Sequence, residues 1–234
     1  MNFMPTRSHG ILLAALVLWS VAAGAAPPQK ITLEYNLSRD GSVVGSVVET
    51  VEHDGKTYTI SSEIRGSGIF TALGVLITRT SRGTITVQGL QPLEFREKRF
   101  GKAEMKARFD WARRTLTLER EGKSETLPMP PSPQDELSMA YSFAFAPPPS
   151  GEIAFTRING RGLTPFRFSV VGTEKLRTSM GEMETLHLSK LRDGPEDKAT
   201  DIWFASGRDL LPVRVLAVDK DGTRDDQTVT RVTP

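Results

Sequence analysis

Cysteine is missing from all 234 residues, and with it go disulfides, thiol catalysis and thiolate-held metals. Histidine is almost missing. His9, His53 and His187 are the full set, and their spacing brings no two together for a zinc site or a catalytic triad. No sign of charge prevails, since 30 Lys and Arg stand against 28 Asp and Glu. That balance argues against a nucleic-acid partner, because a dedicated binder concentrates basic residues on one face. Long apolar runs are confined to a single place, Ile11 to Ala26, ILLAALVLWSVAAGAA.

That run follows a lone arginine, Arg7, and ends in small residues. It is short for a membrane span and has the length of a signal-peptide apolar region, with Ala23-Gly24-Ala25 supplying the A-x-A pattern of a cleavage site. The expectation is a signal peptide over residues 1–25, a mature chain over 26–234 and a periplasmic location, with no stable transmembrane anchor after cleavage. A retained N-terminal anchor is the alternative, because Met1 to Gly10 carries one certain positive charge. No cysteine follows the run, which rules out a lipoprotein anchor on this chain. The mature part is long enough to bury a sizeable core without staples, and one continuous β-rich domain is expected.

What is present is alternation. Ile31, Leu33, Tyr35 and Leu37 share one face of a first strand, and Tyr58, Ile60, Ser62 and Ile64 share one face of a third. Asp40-Gly41 turns the chain into Val43 to Glu52, and Asp54-Gly55 reads as a type I′ hairpin turn, whose two central residues both need positive φ. Gly68 to Ile77, GIFTALGVLI, breaks the pattern. Ser67 could cap a short helix there, with Ile69, Leu73 and Leu76 on one face, while Val75, Ile77 and the glycines favour a buried strand; both readings stay open. Alternation resumes through Arg79 to Val87, Leu93 to Phe100, Ala103 to Asp110 and Thr115 to Arg120.

Residues 127–150 hold seven of the chain's 15 prolines, bracketing Gln134 to Ala146. Proline lacks the amide proton that strand pairing needs, so it both stops strands and delimits a helix. The segment is a helical connector, capped by Asp135 or Ser132, with Leu137, Tyr141 and Phe145 at four-residue spacing and Met139 and Phe143 nearby. Six further strands follow, between Gly151 and Val232. The fold class is mainly β: about a dozen strands in a long curved antiparallel sheet or open β-barrel, with one or two short helices packed on or inside it.

Candidate chemistry is thin. Asp219, Asp221, Asp225 and Asp226 around Gly222 lack the spacing of a calcium loop. Glu182 with Glu184 would flank a turn facing solvent, and Asp135 with Glu136 fit a helix N-terminus better than an acid–base pair. Ser67 is not in a nucleophile elbow. The basic stretch Arg96 to Lys106 reads as a solvated hairpin edge. No catalytic residue, metal ligand or cofactor is therefore assigned, and an enzyme is the less favoured class. The remaining candidate is an apolar site, with Ile69, Phe70, Leu73, Leu137, Tyr141, Phe145 and Trp203 as its candidate ligand-binding residues. For Trp203, Pro212 and Arg214 the structural reading is a buried aromatic, an edge-strand break and a cross-strand charge pair.

The run Asp201 to Gly222, DIWFASGRDLLPVRVLAVDKDG, resembles the closing segment of the bacterial exported domain of unknown function 3108 family, through Trp203, Leu211-Pro212-Val213-Arg214 and Asp221-Gly222. Gly83, Gly89-Leu90-Gln91-Pro92, Phe109-Asp110-Trp111 and Asp135 with Leu137-Ser138 and Tyr141 agree in order, so the resemblance covers about residues 31–232. It implies an exported envelope protein without an assigned role, and no catalytic residue. In outline such a protein is similar to lipoprotein carriers, where a half-barrel holds acyl chains, although architecture does not fix function. The leading expectation is non-enzymatic binding of a lipid or other amphipathic envelope component. An interaction or scaffold role with an envelope protein partner comes next, and a cell-wall or polysaccharide-acting enzyme last.

Overall fold

The computed structural model describes residues 27–160 and 162–234. The apolar run at Ile11–Ala26, Arg7, His9 and the expected cleavage site lie outside them. The described residues form fifteen strands. The first eight are β1 (Lys30–Arg39), β2 (Ser42–His53), β3 (Thr57–Gly66), β4 (Leu76–Thr86), β5 (Gly89–Arg99), β6 (Met105–Asp110), β7 (Thr115–Arg120) and β8 (Lys123–Pro128). The others are β9 (Pro133–Asp135), β10 (Glu152–Asn159), β11 (Gly162–Thr178), β12 (Gly181–Lys190), β13 (Ala199–Ala205), β14 (Leu211–Val218) and β15 (Arg224–Thr233). Two short helices, α1 (Ile69–Ala72) and α2 (Glu136–Tyr141), complete the set, the second continued by a 3₁₀ turn at Ser142–Phe145.

All fifteen strands belong to one sheet, ordered β8 through β1 and then β15 back to β9. Every pairing is antiparallel except β9 with β10. The first and last strands pair at the middle, Thr32 opposite Thr233, while the two edges, β8 and β9, are consecutive in the chain. Only residues 129–132 join those edges. Five Cα steps reach at most roughly 18 Å, so the sheet has to curl until its edges face each other. The result is a barrel with an unzipped seam.

Helix α2 lies inside the curl. Asp135 caps it through a capping box, its Oδ1 accepting from the Leu137 and Ser138 amides at 2.9 and 2.8 Å while the Ser138 hydroxyl accepts from the Asp135 amide. Leu137 and Tyr141 face the core built by Leu33, Tyr35, Val47, Val51 and Ile60, whereas Met139 and Phe143 face a second cluster of Phe166, Phe168, Leu188, Ile202 and Phe204. An element apolar on opposite sides is one that is surrounded, and this one is.

Several expectations change. Residues 68–77 divide between one helical turn and the start of β4, and the N-cap is Gly68, at φ 56, with no side-chain cap; Ser67 contributes its carbonyl, which accepts from the Phe70 amide at 3.1 Å. Ile69 and Leu73 do not lie over the sheet. The Gly66 amide bonds the Val75 carbonyl across the base of the loop, so the turn projects beyond the strand ends and both side chains are exposed. Asp54-Gly55 is not a type I′ turn, because only Gly55 has positive φ. The Asp54 carboxylate instead accepts from the Lys56 and Thr57 amides at 2.8 and 2.7 Å, an Asx arrangement. Both-positive pairs occur at Asp40-Gly41 and Glu121-Gly122. Pro212 is not at a sheet edge; it is the second residue of a central strand, opposite Phe204 beside a bulge, an irregularity of the kind at which sheets tolerate proline.

Candidate functional site

A cavity of about 550 Å³ opens at the seam, within the size range of small-molecule sites. One wall is the β4–β5 turn with Leu90 and Gln91, and a second is the β6–β7 turn with Trp111 and Arg114. The proline segment from Met129 to Pro133 spans the gap. Met139 and Phe143 form the inner floor, and Ile153 and Phe155 of β10 face the first wall.

These walls are braced. The Trp111 indole donates to the Pro92 carbonyl at 2.7 Å, which fixes its ring. The Leu90 amide donates to the Ser142 hydroxyl at 3.2 Å, tying the turn to the helix. Gly89 has to be glycine: its φ is +106, and a Cβ there would lie 2.4 Å from the Ser142 hydroxyl. Phe155 stacks with Phe166 and Phe168 at ring separations of 6.1 and 5.7 Å, and Phe143 meets Phe204 edge-on at 5.2 Å. Gln134 donates from Nε2 to the Leu90 carbonyl, leaving a buried Oε1 without a partner among the described residues. Arg114 is the one charged side chain of the lining, exposed, with no carboxylate within ion-pair distance among the described residues.

Behind the helix a small polar network is buried within the apolar core. Glu49 of β2 is buried, accepting from the Tyr141 hydroxyl at 2.6 Å and the Ser62 hydroxyl at 3.0 Å. Tyr35 lies 3.3 Å from the Tyr141 oxygen and donates to the Pro212 carbonyl at 2.8 Å. Burial raises the Glu49 carboxyl above its usual range, against the pull of those donors and of Arg79. Burial likewise lifts Asp135 to about 6, although Ser81 donates to it at 2.6 Å and the Ser138 and Leu137 amides also favour its charge. Glu97 goes the other way: burial would raise it, but Arg99 and Arg79, each at 2.8 Å, outweigh that and hold it low.

Residues 31–229 match the family model described as Protein of unknown function (DUF3108). The chain belongs to this family. The segments through which it resembles DUF3108 proteins fall at meaningful places: Leu90, Gln91 and Trp111 on the cavity wall, and Asp135, Leu137 and Tyr141 on the helix that forms its floor. Trp203 and Arg214 belong to a ladder across neighbouring strands. The Arg214 guanidinium lies 4.9 Å from the Trp203 ring and pairs with Asp226, and the His187 ring stacks on Trp203 at 4.5 Å. His187 bonds Asp201 at 3.0 Å, and the Trp203 indole donates to Glu174. The buried aromatic and the cross-strand charge pair are therefore as the sequence suggests.

No curated protein matches the DUF3108 chain. Among solved structures, the beta-barrel-like protein of domain of unknown function DUF1849 from Brucella abortus superposes with a TM-score of 0.57 at 12% identity, covering 89% of this chain and 99% of that one. That likeness is one of fold. A protein of YmcC-like fold from Bacteroides fragilis, described as exported, gives a TM-score of 0.41 at 9% identity, covering 89% of this chain and 97% of that one. The match is too loose to argue from.

None of the seven residues singled out from the sequence lines the cavity. Leu137, Tyr141 and Trp203 are buried, Phe145 packs half-buried with its ring 5.0 Å from His53, and Phe70 sits against Gly66. Ile69 and Leu73 are exposed at the far end of the strands. Helix α2 does bound the cavity, but with the opposite side, Met139 and Phe143. Glu182 is exposed and pairs with Lys175, and Glu136 accepts from Asn159 and faces Arg79. Among the described residues no three His, Asp or Glu are grouped to hold a metal, and no helix is long and apolar enough to cross a membrane.

Proposed function

We propose that this DUF3108 protein binds an amphipathic molecule of the cell envelope, with its apolar part in the seam cavity and an anionic head beside Arg114. One observation carries the reading: a cavity of about 550 Å³ in which Leu90, Trp111, Met129, Met139, Phe143 and Phe155 supply the apolar walls, Thr86, Gln88, Gln91, Gln134 and Ser142 add polar groups between them, and one cation stands at the margin, a lining as amphipathic as the proposed guest. Apolar walls favour a hydrocarbon by about 0.8 kcal/mol for each CH₂ buried, and an unpaired guanidinium selects a carboxylate or phosphate head. Binding requires no reaction, and the role is that of a carrier or sensor. The periplasmic setting rests on the apolar run at Ile11–Ala26.

Native mass spectrometry of protein purified from a bacterial envelope fraction tests this. An added mass that dissociates as a lipid is the expected result. Ile153→Trp enlarges a side chain on the same inward face as Phe155 and should abolish the added mass while circular dichroism stays unchanged. No bound mass in the unmodified protein, or equal retention by a folded Ile153→Trp variant, overturns the proposal.

A further inference from the structure

The end of the barrel away from the cavity carries a surface that the seam does not explain. Strand β4 runs from the α1 loop to Thr86 at the cavity, eleven residues or roughly 30 Å away. At that far end two loops meet. The Phe100 amide donates to the Leu76 carbonyl at 2.9 Å, and a Cβ on Gly74 would lie 2.9 Å from the Phe100 ring, so the ring rests on the backbone of the α1 loop. Ile69, Leu73 and Phe100 are 70%, 67% and 70% exposed, with Val75 beside them. Single apolar side chains in water are ordinary, but a group assembled from two separate loops at a convex tip marks a contact surface.

The carboxylates beside it are each paired with a basic side chain, so the unpaired charge is positive. Glu63 is bound by Arg65 at 2.5 Å, Glu97 is buried between Arg79 and Arg99, and Glu104 lies 3.4 Å from Lys106. Lys98 and Lys102 have no carboxylate within ion-pair distance among the described residues; the Lys98 ammonium bonds the Lys102 carbonyl at 2.7 Å, keeping both next to Phe100. We propose that the apolar tip of Ile69, Leu73, Val75 and Phe100, with Lys98 and Lys102 at its rim, docks the molecule on an anionic lipid bilayer. Protruding side chains enter the headgroup layer while lysines meet lipid phosphates, which is the chemistry of an interfacial anchor. A groove lined by Arg99, Lys102 and Met105 adjoins the rim, but Ile69, Leu73 and Phe100 protrude into solvent outside it, as side chains that enter a headgroup layer do, and a protein partner is left as an outcome of the test. The surface is remote from the seam, so this inference and the cavity reading stand or fall separately.

The absence of native cysteine makes the test direct. Leu73→Cys, Phe100→Cys and Val87→Cys, the last an exposed residue in the turn at the cavity end, are each labelled in the full chain with an environment-sensitive nitrobenzoxadiazole dye. Vesicles of phosphatidylcholine mixed with phosphatidylglycerol should brighten and blue-shift the dye at 73 and 100 but not at 87, and added salt should reverse the change. Lys98→Gln with Lys102→Gln should weaken binding about thirtyfold, or about fivefold for each lysine. The proposal is overturned by a silent dye at 73 and 100, by an equal response at 87, by undiminished binding of the double Gln variant, or by capture of a protein at position 100 without any vesicle response. Circular dichroism confirms that each labelled variant is folded.

Discussion

Helix α2 has two neighbours that treat it differently. Toward β1–β5 it presents Tyr141, held by the hydrogen bond that its hydroxyl donates to Glu49, whose length and direction fix it in place, with the Tyr35 oxygen 3.3 Å away. Toward β10–β14 it presents Met139 and Phe143, in contact with aromatic rings on one side and open space on the other. Directional bonds specify a position, while apolar contact is non-directional and tolerates exchange. The helix and the 3₁₀ turn that continues it are thus fastened on one side and border open space on the other. A cavity beside them needs the fastening, since a helix loose on both sides would collapse into it.

The strongest way to break the contrast is Tyr141→Ala, which empties a fully buried site and strips Glu49 of a donor. A loss of about 4 kcal/mol is expected in urea unfolding. Tyr141→Phe keeps the ring and should still cost about 2 kcal/mol, because a buried carboxylate loses a hydrogen bond.

The fastened side should also respond to pH through Asp135. Its carboxyl titrates at about 6 in the folded chain against 3.8 when exposed, so the folded state holds the proton more tightly between those values. Stability from this group is fully present below about 3.8 and is lost as pH rises through about 6, a change on the order of 3 kcal/mol. Asp135→Asn can still cap α2 and should flatten that slope when melting temperatures are compared across the window.

On the free side the effects should be smaller in stability and larger in binding. Phe143→Ala is expected to cost about 1–2 kcal/mol, because the ring is only half-buried, and to weaken retention of a bound lipid in native mass spectra. Arg214→Gln, outside the cavity lining, should cost at most about 1 kcal/mol and leave lipid retention unchanged. Equal lipid retention by Phe143→Ala would remove the distinction between the two sides.

Most strands are legible because one face is buried: Ile31, Leu33 and Tyr35, or Tyr58 and Ile60, alternate as cleanly in the sequence as in the sheet. The two strands that escape notice are the two edges. Strand β8, KSETLP, is exposed almost throughout, so no apolar face betrays it, and β9 is three residues beginning with proline. The cavity is illegible for a related reason. Leu90, Trp111 and Phe155 meet across a seam created by the curl of the whole sheet, and period-two patterning says which residues face inward but not which face each other. Met139 and Phe143 are visible as apolar positions, yet the four-residue spacing of Leu137, Tyr141 and Phe145 draws attention to the fastened side. Glu49 gives no warning, since a glutamate between Val47 and Val51 on an inward face breaks the rule by which the strand is found.

The pairing of β1 with β15 also sets how the molecule assembles. Each half of the sheet, β1–β8 and β10–β15, is a succession of neighbouring hairpins that can zip from local contacts. Joining them brings together residues about two hundred positions apart, Thr32 and Thr233, a closure whose entropy has to be met before any of its hydrogen bonds form. The halves should therefore mature early as separate meanders, each exposing one long unpaired strand edge until the last step. In that interval β1 and β15 are the most aggregation-prone parts of the chain, and a helper that shields either edge would raise the yield of folded protein without touching the finished barrel.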